Sequence, residues 1–100
     1  MGKNMKRNLD VEILQLDGGS FADFPTLRAV CSVALVTPHR SDESKTLIEK
    51  LVLYRLAQKI IAAPEEVDLS SEDIVLLKGR VNLIINSIVI VGRVHDLLES

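Results

Sequence analysis

One hundred residues, 47% of them apolar and with a net charge of -2, make one folded domain and exclude a disordered chain. Three aromatic residues and twelve scattered Lys and Arg supply neither the stacking platform nor the basic footprint by which nucleic acids are held. A lone cysteine, Cys31, excludes an intramolecular disulfide; in its apolar run it reads as a small buried hydrophobe in a reducing compartment.

The basic start at Lys3, Lys6 and Arg7 runs into Asp10 and Glu12 instead of an apolar segment, so no secretory signal is expected. The reading is a cytoplasmic protein with a flexible N-terminus over 1–8 and a single domain over 9–100. From Leu9 to Leu16, Val11 and Ile13 alternate with Asp10, Glu12 and Gln15, the period of a half-buried strand. Asp17-Gly18-Gly19 offers the positive φ that a tight reversal needs, and Ser20 to Phe24 can return before Pro25. A β-hairpin over 9–24 is expected, and such a hairpin must lie on helices to persist.

Thr26 can cap a first helix over about 26–36, with Leu27, Val30, Cys31, Ala34 and Leu35 at helical offsets; the β-branched Val30, Val33 and Val36 keep a strand open as the alternative. Thr37-Pro38-His39-Arg40-Ser41 is a connector. A second helix is expected over about 42–63, capped by Ser41 or Asp42 and ended by Pro64. Its main apolar arc is Leu47, Leu51, Tyr54, Ala57 and Ile61, broadened by Leu53 and Ile60. Ile48, Val52 and Leu56 lie on the opposite side, which implies two contacts for one helix. Glu65 to Leu69 reads as a linker.

Ser70 and Asp73 have the spacing of a capping box and open a helix over about 71–85. Ile74, Leu77, Val81, Ile84, Ile88 and Val91 then recur at steps of three and four, one face of a helix. Asn86-Ser87 favours a break within that stripe and a fourth helix over about 87–98. Only twelve uncharged residues separate Arg80 from Arg93, too few to span a membrane. The expected fold class is therefore α+β and mainly helical, an N-terminal β-hairpin packed on three to four helices.

Glu72-Asp73-Ile74 with Leu77-Lys78, then Ile90-Val91-Gly92-Arg93-Val94 and Asp96-Leu97-Leu98-Glu99, resemble the C-terminal part of small phage and prophage proteins of about this length. The resemblance extends to Leu16-Asp17-Gly18 and Tyr54-Arg55-Leu56-Ala57. It implies a viral accessory role and carries over no activity or site residue.

The residues that could carry chemistry have simpler explanations. Gly18-Gly19-Ser20 lacks the further residues of a dinucleotide loop, a Walker loop or a nucleophile elbow. His95 and Glu99 at i, i+4 offer two ligands where a metal needs more, and His39 sits in a loop. Glu65, Glu66 and Asp68 read as solvated linker charges. No catalytic residue, metal or cofactor is expected.

What stands out is apolar surface in excess of what one small chain can cover. The expected function is that of a noncatalytic, self-associating interaction protein, a homo-oligomer that binds a host or viral protein. Its core and interaction residues would be Ile74, Leu77, Val81, Ile84, Ile88 and Val91 with Ile48, Val52 and Leu56, and the last two helices would form the centre of the assembly. Two other functions stay open: an oligomer that encloses a nucleotide or metabolite, and a DNA-binding regulator with 87–98 as recognition helix.

Overall fold

The computed structural model describes residues 5–99. The element order is strand β1 (Met5–Asn8), helix α1 (Leu27–Val36), a 3-10 turn (Arg40–Ser44), helix α2 (Leu47–Ala62), strand β2 (Glu66–Leu69), helix α3 (Ser71–Ile84) and helix α4 (Ile88–Glu99). The fold class is the expected α+β, with four helices and an antiparallel N-terminal hairpin packed against them.

Between β1 and α1 the chain reverses at Gly18, whose φ of +91° only glycine adopts without strain. The Asp17 carboxylate accepts from the Gly19 amide at 2.9 Å and closes the turn. The hairpin's arms touch at two antiparallel bridges, Leu14 with Ser20 and Glu12 with Thr26. The Ile13 amide donates to the Pro25 carbonyl at 3.0 Å, which locks the returning arm. Leu9 and Ile13 are fully buried, so the hairpin is nailed to the helices by its apolar side.

Two expectations at the ends of this segment are corrected. Residues 1–4 lie outside the described residues, but 5–8 are a strand, paired antiparallel with β2 from Met5 opposite Leu69 to Asn8 opposite Glu66. The expected linker 65–69 is therefore largely β2, with Val67 and Leu69 buried while Glu66 and Asp68 face solvent. That alternation is the strand period, but over four residues it is too short to declare itself without its partner strand.

Helix α1 buries the expected Leu27, Val30, Cys31, Ala34 and Leu35, and the Thr26 hydroxyl caps it by accepting from the Ala29 amide at 3.2 Å. Cys31 is fully buried, and burial pushes its thiol up to about 12. Helix α2 begins at Leu47 and not at 42. Thr46 and Glu49 form a reciprocal capping box, with Glu49 accepting from the Thr46 amide at 2.9 Å, while 40–44 close into a separate turn. The Ser70–Asp73 box opens α3 as expected, at 3.1 Å in both directions. The favoured break is present: Ile85 is extended, and the Ser87 hydroxyl accepts from the Ile90 amide at 3.3 Å to start α4.

The C-terminal stripe divides. Ile74, Leu77 and Val81 are buried, Ile84 and Val91 are half-buried against the core, and Ile88 is 88% exposed. The break after Ile84 rotates α4, which buries Ile90, Val94 and Leu98 instead. The cover comes from within the subunit, since α3 packs on α1, α4 and β2. Val75, Leu83 and Ile88 stay exposed on the outer sides of these two helices.

Gly79 sits in the exposed interior of α3, and a Cβ built there meets nothing within 4 Å. Gly79→Ala is expected to raise stability by up to about 1 kcal/mol, since it removes backbone freedom from the unfolded chain and adds no clash. Urea unfolding with an unchanged slope measures it. No helix among the described residues is long and apolar enough to cross a membrane.

Candidate interaction surface

Apolar side chains cover most of the circumference of α2, so its inward face is chosen by packing and not by sequence period. The buried set is Leu53, Leu56, Ala57 and Ile60, at offsets of three, four and seven. Of the main apolar arc, Ala57 is buried together with Leu53 and Ile60 that broaden it, whereas Leu47, Tyr54 and Ile61 are exposed and Leu51 is half-buried. Of the opposite set, Leu56 turns inward, whereas Ile48 and Val52 stay outside. Leu47 is 73% exposed, Ile48 74%, Val52 52%, Tyr54 54% and Ile61 61%, with Leu51 half-buried among them. Isolated exposed apolar residues are ordinary, but six along one helix form a contiguous patch of the kind that marks contact with another protein.

This face is held rigidly at both ends. The N-terminus has its capping box, and at the C-terminus the Arg28 guanidinium donates to the carbonyls of Ile60 at 2.6 Å, Ala63 at 2.8 Å and Pro64 at 3.0 Å. The Arg28 Nε also bonds Asp10 at 3.2 Å, which ties the hairpin to the same corner. The last carbonyls of a helix lack intrahelical donors, and a guanidinium, with five N–H groups in a fork, can satisfy several at once.

The same device recurs twice. Buried Arg80 of α3 donates to the carbonyls of Ala34 at 3.0 Å and Thr37 at 2.9 Å at the end of α1, and to the Asp42 carboxylate at 2.7 Å. Buried Arg7 of β1 donates twice to the Leu98 carbonyl at the end of α4, at 2.9 and 3.3 Å. The Arg80 hydrogen bond holds the Asp42 carboxyl down at about 2, against an ordinary 3.8. None of these arginine roles is legible in the sequence. The available signal is negative: neither α1 nor α4 carries a basic residue in its last turn, so their carbonyls require donors from elsewhere.

The residues considered for chemistry are engaged in structural contacts. His39 caps the 3-10 turn, its Nδ1 accepting from the Ser41 amide at 3.0 Å and lying 2.9 Å from the Ser41 hydroxyl. Glu99 pairs with Lys78, which lowers its pKa, and the His95 Nδ1 lies 3.9 Å from the Asp96 carboxylate. Among the described residues no group of three His, Cys, Asp or Glu could hold a metal ion. The apolar cleft between α3 and α4, lined by Val81, Val91 and Val94 with Lys78, Asn82 and His95, holds about 160 Å³. That cleft is well below the several hundred Å³ of a nucleotide-sized pocket, and the groove of about 530 Å³ along Lys6 and 64–68 is lined by the carboxylates of Glu65, Glu66 and Asp68, which repel a phosphate. Arg93, the cation that a recognition helix would present to DNA, is committed to the carbonyls of Leu14 at 3.0 Å and Gln15 at 3.3 Å.

No protein-family model matches the chain, and no curated protein or solved structure matches it either.

Proposed function

We propose that this is a noncatalytic, self-associating interaction protein that acts by protein binding through the outward face of α2. The supporting observation is the exposure of Leu47, Ile48, Val52, Tyr54 and Ile61 on a helix whose two ends are pinned by a capping box and by Arg28. A rigid apolar face loses little conformational freedom when it is covered, so its burial is available as binding energy. The resemblance of the C-terminal segment to small phage proteins supports a viral accessory setting, with a host or viral protein as a further partner.

Light scattering coupled to size exclusion tests the reading. The native chain is expected at twice its 11.1 kDa mass. Tyr54→Lys, which adds a cation beside Lys50 and Arg55 and leaves the core untouched, is expected to return a single-chain mass with an unchanged circular dichroism spectrum. A single-chain mass for the native protein at about a hundred times a micromolar Kd overturns the reading.

A further inference from the structure

We infer that two copies of this chain associate through α2 against α2 with the helices antiparallel, an arrangement that rests on the self-association proposed above. Leu47, Leu51, Tyr54, Gln58 and Ile61 are spaced four, three, four and three, so they form a straight seam along the helix. All lie on the side away from the buried Leu53, Leu56, Ala57 and Ile60. Exposed Leu47, Tyr54 and Ile61 of the seam, with Ile48 flanking it, together present on the order of 500 Å². Doubled by symmetry, that reaches the roughly 1,000 Å² a specific interface has to clear.

Gln58, the polar member of the seam, donates to the Tyr54 hydroxyl at 3.1 Å and so enters the contact with a partner already in place. A polar residue in an apolar seam restricts the registers that can form.

The charges beside the seam select the direction. Lys50 flanks it on one side and Arg55 on the other, both on the exposed surface. In a parallel pair, a residue on one flank meets the residue five positions later on the opposite flank of the second helix. Lys50 of each copy would then face Arg55 of the other, two like-charge contacts at the interface rim. In an antiparallel pair each flank meets the same flank reversed. Lys50 then lies near the uncharged Ala57 of the second copy, and Arg55 lays its aliphatic stem near Ile48. A two-fold contact is self-complementary and closes at two copies, so no open chain of subunits follows.

Cross-linking by a short bismaleimide at introduced thiols reads the direction. Cys31 stays silent because it is fully buried. Leu47→Cys and Ile61→Cys replace exposed residues and leave the core intact. In that antiparallel register the two Leu47 positions are about 17 Å apart along the axis and the two Ile61 positions about 25 Å, whereas Leu47 of one copy lies within one turn of Ile61 of the other. An equal mixture of the two variants is therefore expected to give at least about five times more covalent dimer than either variant alone. A dimer mass in which each variant cross-links to itself, and the mixture gains nothing, overturns the antiparallel arrangement and leaves self-association standing. A single-chain mass for both variants and for the native protein overturns self-association as well.

Discussion

Arg80→Met is expected to destabilise the fold by about 2–4 kcal/mol, a large share of the stability of a domain of this size. Arg80 is 4% exposed, and its guanidinium is the donor for the carbonyls of Ala34 and Thr37 and for Asp42. Met fills a similar volume, so packing changes little while the carbonyls of Ala34 and Thr37 lose their side-chain donor and Asp42 keeps only the Lys45 ammonium and the His39 amide. Two carbonyls left without their side-chain donor beside the core, and a weakened ion pair, account for the size of the loss. Asp42→Asn is expected to cost less, because the carbonyl bonds of Arg80 survive and the amide oxygen of the new side chain can still accept. The double variant should fall short of the sum of the two single losses, as coupled partners do. A melting temperature within a few degrees of the native value for Arg80→Met would contradict the role assigned to it.

The same pair sets an acid dependence. Asp42 has a folded-state value of about 2 against an ordinary 3.8, so its contribution is fully present above the ordinary value and is lost as pH falls toward 2. Urea midpoints measured between about pH 5 and pH 2 should decline, and the decline should be shallower in Asp42→Asn, which has no carboxylate to protonate.

The second large effect separates two residues of one sequence stripe. Leu77→Ala is expected to cost about 2–5 kcal/mol, because Leu77 is fully buried where α3 crosses the core and truncation leaves a cavity. Ile88→Ala is expected to lie within about 0.5 kcal/mol of native, since Ile88 is 88% exposed at the start of α4. On a domain of this length the first loss lowers the melting temperature by roughly 8 °C or more, and the second is barely visible. Equal effects at the two positions would mean that the stripe is continuous and that α3 and α4 are not broken as described.

Signals confined to a few neighbouring residues are legible without coordinates. The Ser70–Asp73 box, the Thr26 cap, the five buried positions of α1 and the break at Asn86–Ser87 all depend on backbone groups within about four residues of the side chain that satisfies them. The start of α2 falls later than expected although the Thr46–Glu49 box is in the sequence, because Asp42 and Glu43 mimic the acidic first turn of a helix. For the candidate surface, the seam from Leu47 to Ile61 is visible as a pattern, but the period does not say which of the two apolar faces turns inward.

The order of amino acids is enough to establish a small, mainly helical domain, the caps of most of its helices and a surplus of apolar surface. Where that surplus lies is settled by packing in three dimensions. When more than half of a helix is apolar, period alone cannot rank its faces, and α2 takes Leu53, Leu56, Ala57 and Ile60 inward because those fit against the rest of the fold. The assembled fold likewise sets the pairing of β1 with β2 and the three arginines that close helix ends from 32 to 91 residues away. Such contacts join chain segments that are remote in sequence, and no local propensity encodes which distant donor will meet a given carbonyl.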